Sequence, residues 1–213
     1  MKFPKIYKDK DVFLDTIREM KVGIIGFGNQ GRAQALNLRD SGIAATIGLR
    51  EGSPSAASGT SSKQEAEAEG FQCQAIPDVV KNCDIISLLI PDQVMGEVYS
   101  ENIAPHLTEG QSLLFSHGYN IHYKLIQPPD NVNVIMAAPS GAGTELRKRY
   151  LDGKGIPGLF AVHQDYSGNA EEMVLTYCKA IGLTKSGVLK SNFREETETD
   201  LFGEQMVLIG GLP

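Results

Sequence analysis

The chain has 213 residues, with 20 Lys+Arg against 26 Asp+Glu and a formal net charge of -6. At roughly 150 residues per domain this is one full domain and a smaller remainder, long enough to bury a core without disulfide or metal staples. An apolar content of 41% with 22% charged residues excludes wholesale disorder, and the acidic excess argues against broad nucleic-acid binding while leaving room for a local anion pocket.

Residues 1–19 read as a short arm in which Val12, Phe13, Leu14 and Ile17 could form a modest helical stripe. Lys21 to Gly26 is a compact apolar strand, followed at once by a glycine turn and a helical stretch from Gln30 to Asp40. Ser41-Gly42 ends that helix, and Ile43 to Leu49 reads as a second strand. A Ser/Gly/Ala-rich loop covers 51–62, a charged helix Lys63 to Glu69, and a helical turn Pro77 to Asn82. Asp84 to Ile90 is the clearest buried strand. Beyond it the alternation predicts a helix at 92–100, strands at 111–116, 132–137 and 158–162, and helices at 144–151 and 168–181. Strands separated by helices point to a parallel sheet covered on both faces, an α/β fold of the Rossmann-type doubly wound class.

After about residue 182 the rhythm changes. Residues 195–200 are Glu-Glu-Thr-Glu-Thr-Asp, and 201–209 is mostly apolar. The expected division is therefore a dinucleotide-binding domain over 1–182 and the beginning of a helical segment over 183–213. Cys73, Cys83 and Cys178 form no CxxC pair and suit a reducing compartment. No apolar run approaches the roughly 18 residues of a membrane span, and the N-terminus carries no secretory pattern, so a cytoplasmic protein without membrane contact is expected.

Gly26-Phe27-Gly28-Asn29-Gln30-Gly31 is a G-x-G-x-x-G sequence placed after a strand and opening a helix, the context that gives the pattern meaning. Gly26 permits the tight turn, Gly28 lets a pyrophosphate approach the backbone, and Gly31 lets the helix sit close to the sheet. The second strand ends in Gly48-Leu49-Arg50 where an NAD site usually carries an acid. Arg50 can pair with a 2′-phosphate, and Ser53, Ser55 and Ser58 can donate to it, which favours NADP(H). A solvent-facing charge and loop filler are the plain alternatives. Leu88 to Gln93 ends a strand at the natural wall of the cofactor crevice; there Pro91 starts a helix and Asp92 reads better as a cap than as a catalytic acid.

Gly28 through Gly42, Leu113-Leu114-Phe115-Ser116-His117-Gly118-Tyr119-Asn120-Ile121-His122, Val134 to Pro139, Gly155-Ile156-Pro157, Ala161 to Asp165 and Glu195 to Gln205 together resemble the ketol-acid reductoisomerase family. The resemblance implies an NADPH- and magnesium-dependent enzyme of branched-chain amino-acid biosynthesis. Such an enzyme rearranges 2-acetolactate by alkyl migration and reduces the resulting 2-keto acid to 2,3-dihydroxy-3-methylbutanoate. It also implies a helical second domain, a site between the two domains, and dimers or assemblies of dimers. Carried onto this chain, it marks His117 as the active-site histidine and Asp200 and Glu204 as metal carboxylates. Arg50 with the neighbouring serines becomes the phosphate-reading loop, and Gly26, Gly28 and Gly31 the pyrophosphate turn.

The residues themselves agree in part. Asp200 and Glu204 are one helical turn apart, Glu196 extends the row a turn back, and oxygen ligands of this kind suit magnesium. An ordinary acidic helix face is the alternative. His117 stands at a strand end, whereas His106, His122 and His163 read as structural or surface residues. The family carries a lysine where this chain has Ser140, which can hydrogen-bond but cannot supply a fixed positive charge. The family's remaining metal carboxylates come from sequence beyond Pro213, so full activity is expected to need a homodimer or a separate chain supplying a helical domain. Two other readings stay open: a keto-acid or imine reductase that does not isomerise, and a non-catalytic NADP(H)-binding or interaction module.

Overall fold

The computed structural model describes residues 4–50 and 61–208, with side chains through Met206. Among them runs a nine-stranded sheet in the order β1-β9-β8-β7-β6-β5-β2-β3-β4. The strands are β1 (Ile6–Tyr7), β2 (Val22–Ile25), β3 (Ala45–Leu49), β4 (Gln72–Ala75), β5 (Ile85–Leu88), β6 (Ser112–Phe115), β7 (Asn133–Pro139), β8 (Gly158–Gln164) and β9 (Val188–Lys190). The helices are α1 (Asp15–Arg18), α2 (Asn29–Asp40), α3 (Ser62–Ala68), α4 (Ile76–Asn82), α5 (Asp92–Val98), α6 (Tyr119–His122), α7 (Gly143–Leu151), α8 (Ala170–Ala180), α9 (Leu183–Ser186) and α10 (Phe193–Leu208).

The central strands are apolar on both faces because both faces are covered. β2, β5 and β6 are buried at every residue. One core packs Ile24, Ile47, Ile85, Leu114 and Ile135 against α2 and α8. The other packs Ile25, Ile86, Leu113, Phe115 and Met136 against α4 and α5. From β2 the chain steps to β3 on one side and later to β5 on the other. That reversal opens a crevice at the carboxyl ends of the strands, where ligands bind in open α/β sheets.

The sheet is parallel from β4 through β7, as the sequence pattern predicts, but not throughout. β8 runs antiparallel to β7, with Gly158 opposite Pro139. The cause is local. After α7 the chain turns at Gly153 and Gly155, both with positive φ (72° and 65°), whose neighbourhood is tied back by amides of Lys154 and Gly155 donating to the Arg149 carbonyl (3.0 Å each). The connection thus ends beside the residue at which β7 ended, and β8 retraces its path.

The N-terminal arm is more ordered than a helical stripe predicts. Val12 and Ile17 are buried, but Phe13 is exposed, and Ile6 and Tyr7 form the edge strand β1, antiparallel to β9. Lys179 Nζ donates to the carbonyls of Asp9 and Val12 (2.6 Å each), fastening the arm to α8. Among the described residues no helix is long and apolar enough to cross a membrane.

Candidate functional site

β2 delivers Gly26 into the turn with φ +98° and its N–H donating to the Gly48 carbonyl at 3.0 Å. A Cβ on Gly31 would stand 2.4 Å from the Gly26 carbonyl oxygen, so the helix can approach the turn this closely only without a side chain. Gly28 is different: a Cβ there would meet nothing within 4 Å among the described residues. It caps α2 at an exposed position facing the crevice. Packing does not call for glycine at Gly28; a ligand backbone lying against it would.

Around this turn opens a cleft of about 1210 Å³, above the roughly 300–1,000 Å³ of a typical small-molecule pocket. Gly28, Asn29 and Gln30 form one wall, Leu88 to Gln93 the next, then Ser116 and His117 from the end of β6 and Pro139, Gly141 and Ala142 from the end of β7. Glu196, Asp200 and Glu204 close it from α10.

The seating of α10 explains how distant acids reach His117. Phe193, buried at its first turn, packs edge-on against Phe115 (centroids 6.1 Å apart) and against the His163 ring (5.4 Å). A Cβ on Gly118 would lie 2.5 Å from both the Phe193 carbonyl oxygen and Thr197 Oγ1. The glycine after the histidine therefore lets α10 lie directly on the strand end. His163 is structural here, as expected.

Glu196 is 5% exposed. Its carboxylate is 3.0 and 3.1 Å from His117 Nδ1 and accepts the Gly118 N–H at 2.8 Å. Asp200 Oδ2 stands 3.6 Å from the same Nδ1. Burial alone would lower the His117 pKa, but the hydrogen bond and charge of Glu196, with the charges of Asp92 and Asp200, outweigh it and raise the pKa above its ordinary value. Asp92 and Asp200 are both raised, first by burial and then by neighbouring acids, with His117 opposing. Asp92 is not the cap that the sequence suggests: it is the first residue of α5, whose N-cap is Pro91 without a side-chain cap hydrogen bond. Its carboxylate instead accepts from Asn120 Nδ2 at 2.8 Å, orienting the residue after the His-Gly-Tyr sequence.

Of the expected site residues, the structure brings together Gly28, Asn29, Gln30, His117, Asp200 and Glu204 on one cleft, with Gly26, Phe27 and Gly31 in the turn that shapes it. Ser140 is exposed and not among the cleft-lining residues; its N–H donates to the Pro157 carbonyl at 3.0 Å. Arg50 is exposed at the end of β3 and lines a second hollow with Lys63, Gln74 and Ile76. Ser53, Ser55 and Ser58 lie outside the described residues. Glu196 is the residue that sequence reasoning undervalued. Its position one turn before Asp200 was a usable signal, but nothing in the sequence shows that it is the buried one.

His117, Glu196 and Asp200 present ligand atoms within 4.8 Å of one another, and Glu204 faces the same cleft. The Asp200 pKa is raised first by burial and then by the neighbouring acids; a bound cation would relieve both, so the carboxylate oxygens of this group fit a hard divalent ion.

A glycine turn at the switch point of a doubly wound sheet, with a histidine and acids facing it, defines a dinucleotide-binding domain of the oxidoreductase kind. A sequence-family model described as "Acetohydroxy acid isomeroreductase, NADPH-binding domain" matches residues 16–187, and the chain belongs to that family. It is 51% identical over 212 residues to a ketol-acid reductoisomerase (NADP(+)) of Pyrococcus abyssi, covering 100% of this chain and 62% of the relative. A namesake from Methanocaldococcus jannaschii is 50% identical over 208 residues, covering 98% and 61%. The solved structure of an NADH-preferring ketol-acid reductoisomerase from an uncultured archean superposes with a TM-score of 0.92 at 44% identity, over 97% of this chain and 62% of that one. A semialdehyde dehydrogenase NAD-binding protein from Cupriavidus necator, 18% identical with a TM-score of 0.65, shares the fold alone. The chain thus spans somewhat over three-fifths of the length of the relatives it matches.

Proposed function

We propose that this chain is the cofactor-binding portion of a ketol-acid reductoisomerase, binding NADP(H) and acting on 2-acetolactate together with a helical domain. That domain would correspond to the roughly two-fifths of the relatives' length that these residues do not span, in the same polypeptide or in a separate chain. The observation that carries this reading is the convergence of the glycine turn, His117 and the α10 acids on one cleft.

Arg50 at the end of β3, where an acid would favour NAD, supports NADP(H), with Ser53, Ser55 and Ser58 as further donors to a 2′-phosphate. Glu196 holds the His117 ring by Nδ1, leaving Nε2 as the nitrogen free of that carboxylate and therefore the atom at which a substrate proton is exchanged. The raised pKa keeps more of the imidazolium form near neutrality. Asp200 and Glu204 would hold magnesium. NADPH, when bound, supplies the reducing equivalent, and magnesium, when bound, polarises a substrate oxygen. Ser140, outside the cleft lining, supplies no charge to the substrate region. Three free thiols suit a cytoplasmic enzyme.

Turnover of 2-acetolactate with NADPH and magnesium, run beside reduction of 3-hydroxy-3-methyl-2-oxobutyrate, tests this. Both reactions, with the helical domain supplied, are expected. Reduction alone would favour a reductase without isomerisation, and tight NADPH binding with neither reaction would favour a cofactor-binding module.

A further inference from the structure

Beneath the cleft, buried hydrogen bonds converge on one side chain. Gln34 lies on α2, one turn beyond Gln30, and is 0% exposed. Its Nε2 donates to Ser116 Oγ at 2.9 Å and to Gln30 Oε1 at 3.1 Å, and its Oε1 accepts from the Tyr177 hydroxyl at 2.8 Å. Gln30 passes the connection on, donating from its own Nε2 to the Gly141 carbonyl at 2.9 Å. Gln30, Ser116 and Gly141 belong to three different stretches of the cleft wall: the start of α2, the end of β6 and the segment after β7.

We infer that Gln34 is a positioning residue that fixes the spacing between the dinucleotide turn and the strand end carrying His117. A buried amide has fixed, planar donor and acceptor directions, and each partner it loses becomes an unsatisfied buried group. An apolar side chain of equal size fills the space but lets the walls slide. Its influence is also one-sided. Ser116 and Gly141 follow β6 and β7 on one side of β2, whereas Arg50 follows β3 on the other. A dinucleotide crossing at the switch point places its halves on the two sides. With the 2′-phosphate at Arg50, the nicotinamide half falls to the side that Gln34 organises. The inference rests on the dinucleotide reading proposed above.

Titration of the intact chain with NADPH and with 2′,5′-ADP, which carries only the adenosine half, separates the possibilities. Gln34→Met is expected to raise the NADPH Kd about tenfold and to alter the bound-nicotinamide fluorescence, with 2′,5′-ADP binding unchanged. Tyr177→Phe removes a bond to the same amide from the core side. It is expected to lower Tm while leaving both Kd values in place. Should Gln34→Met fold poorly, Ser116→Ala removes only the cleft-side bond and is expected to weaken NADPH about threefold. Unchanged NADPH binding in the soluble Gln34 and Ser116 variants, equal losses for both ligands, or a Tyr177→Phe variant matching Gln34→Met would overturn the inference. Failure of the wild-type chain to bind NADPH would instead overturn the dinucleotide reading, and the inference with it.

Discussion

His117, half-buried at the end of β6, pairs with the buried Glu196 of α10, Nδ1 lying 3.0 Å from the nearer carboxylate oxygen, and the same carboxylate holds the Gly118 amide. Because the folded pKa of His117 is raised, its protonation stabilises the fold fully below the ordinary value of about 6.5. That stabilisation is lost as pH rises through the folded value. Glu196→Gln is expected to bring the His117 midpoint down, burial then acting with less opposition, and to cost about 1–2 kcal/mol. NMR titration of the imidazole in metal-free protein, beside denaturant unfolding, measures both. An unmoved midpoint would show that the pair does not set the charge of His117.

Asp200 shifts stability in the same direction for a different reason, its ionised form being the disfavoured one. Its folded pKa is raised, by burial and by Glu196 and Glu204 against the pull of His117. Its contribution is therefore full below about pH 3.9 and is lost as pH rises through the folded value. In metal-free protein Asp200→Asn is expected to raise Tm by about 1–2 °C at neutral pH, a small effect because the group is half exposed and screened. The advantage should vanish in acid. Magnesium should raise the Tm of the wild type but not of the variant, which thermal scans with and without the ion would reveal.

The second and third glycines of the motif are expected to separate stability from binding. Gly31→Ala places a methyl 2.4 Å from a backbone oxygen and should cost about 3 kcal/mol. Gly28→Ala meets no atom of the described residues within 4 Å, so stability should change by less than about 1 kcal/mol. NADPH affinity should nevertheless fall about tenfold or more. Equal destabilisation of both variants would refute the division of roles.

For Arg50→Ala, loss of a charge-assisted contact predicts an NADPH Kd raised about 10- to 100-fold, with NADH changed by less than about twofold. Parallel titrations with the two cofactors decide this. An equal loss for both would move Arg50 out of phosphate recognition.

Much of this was legible in the sequence for a physical reason. β2, β5, β6 and β7 are buried on both faces and must be continuously apolar, so they announce themselves, as does the glycine turn between β2 and α2. The edge strands do not. β4 is Gln-Cys-Gln-Ala and half exposed, and β1 has only two residues; β9, an interior strand beside it, has only three. Such strands exist because a neighbour offers hydrogen bonds, which no local pattern encodes. The reversal at β8 was hidden similarly, since a helix between two strands reads as a parallel crossover unless the glycines after it are weighed. At the site, the acids of 195–204 were visible as a helical row, but which one is buried depends on Phe193 meeting Phe115, a contact across 78 positions of chain.

The pairing of β1 with β9 also has a consequence in time. Among the described residues β1 has β9 as its only sheet partner, which arrives with residues 188–190, so a ribosome must deliver nearly the whole cofactor domain before this edge can be sealed. Until then Ile6 and Tyr7 wait as an unpaired tail, and α10, which begins three residues later at Phe193, emerges onto a sheet whose border has just closed. Assembly of the edge and docking of the acids beside His117 are thereby consecutive events during synthesis.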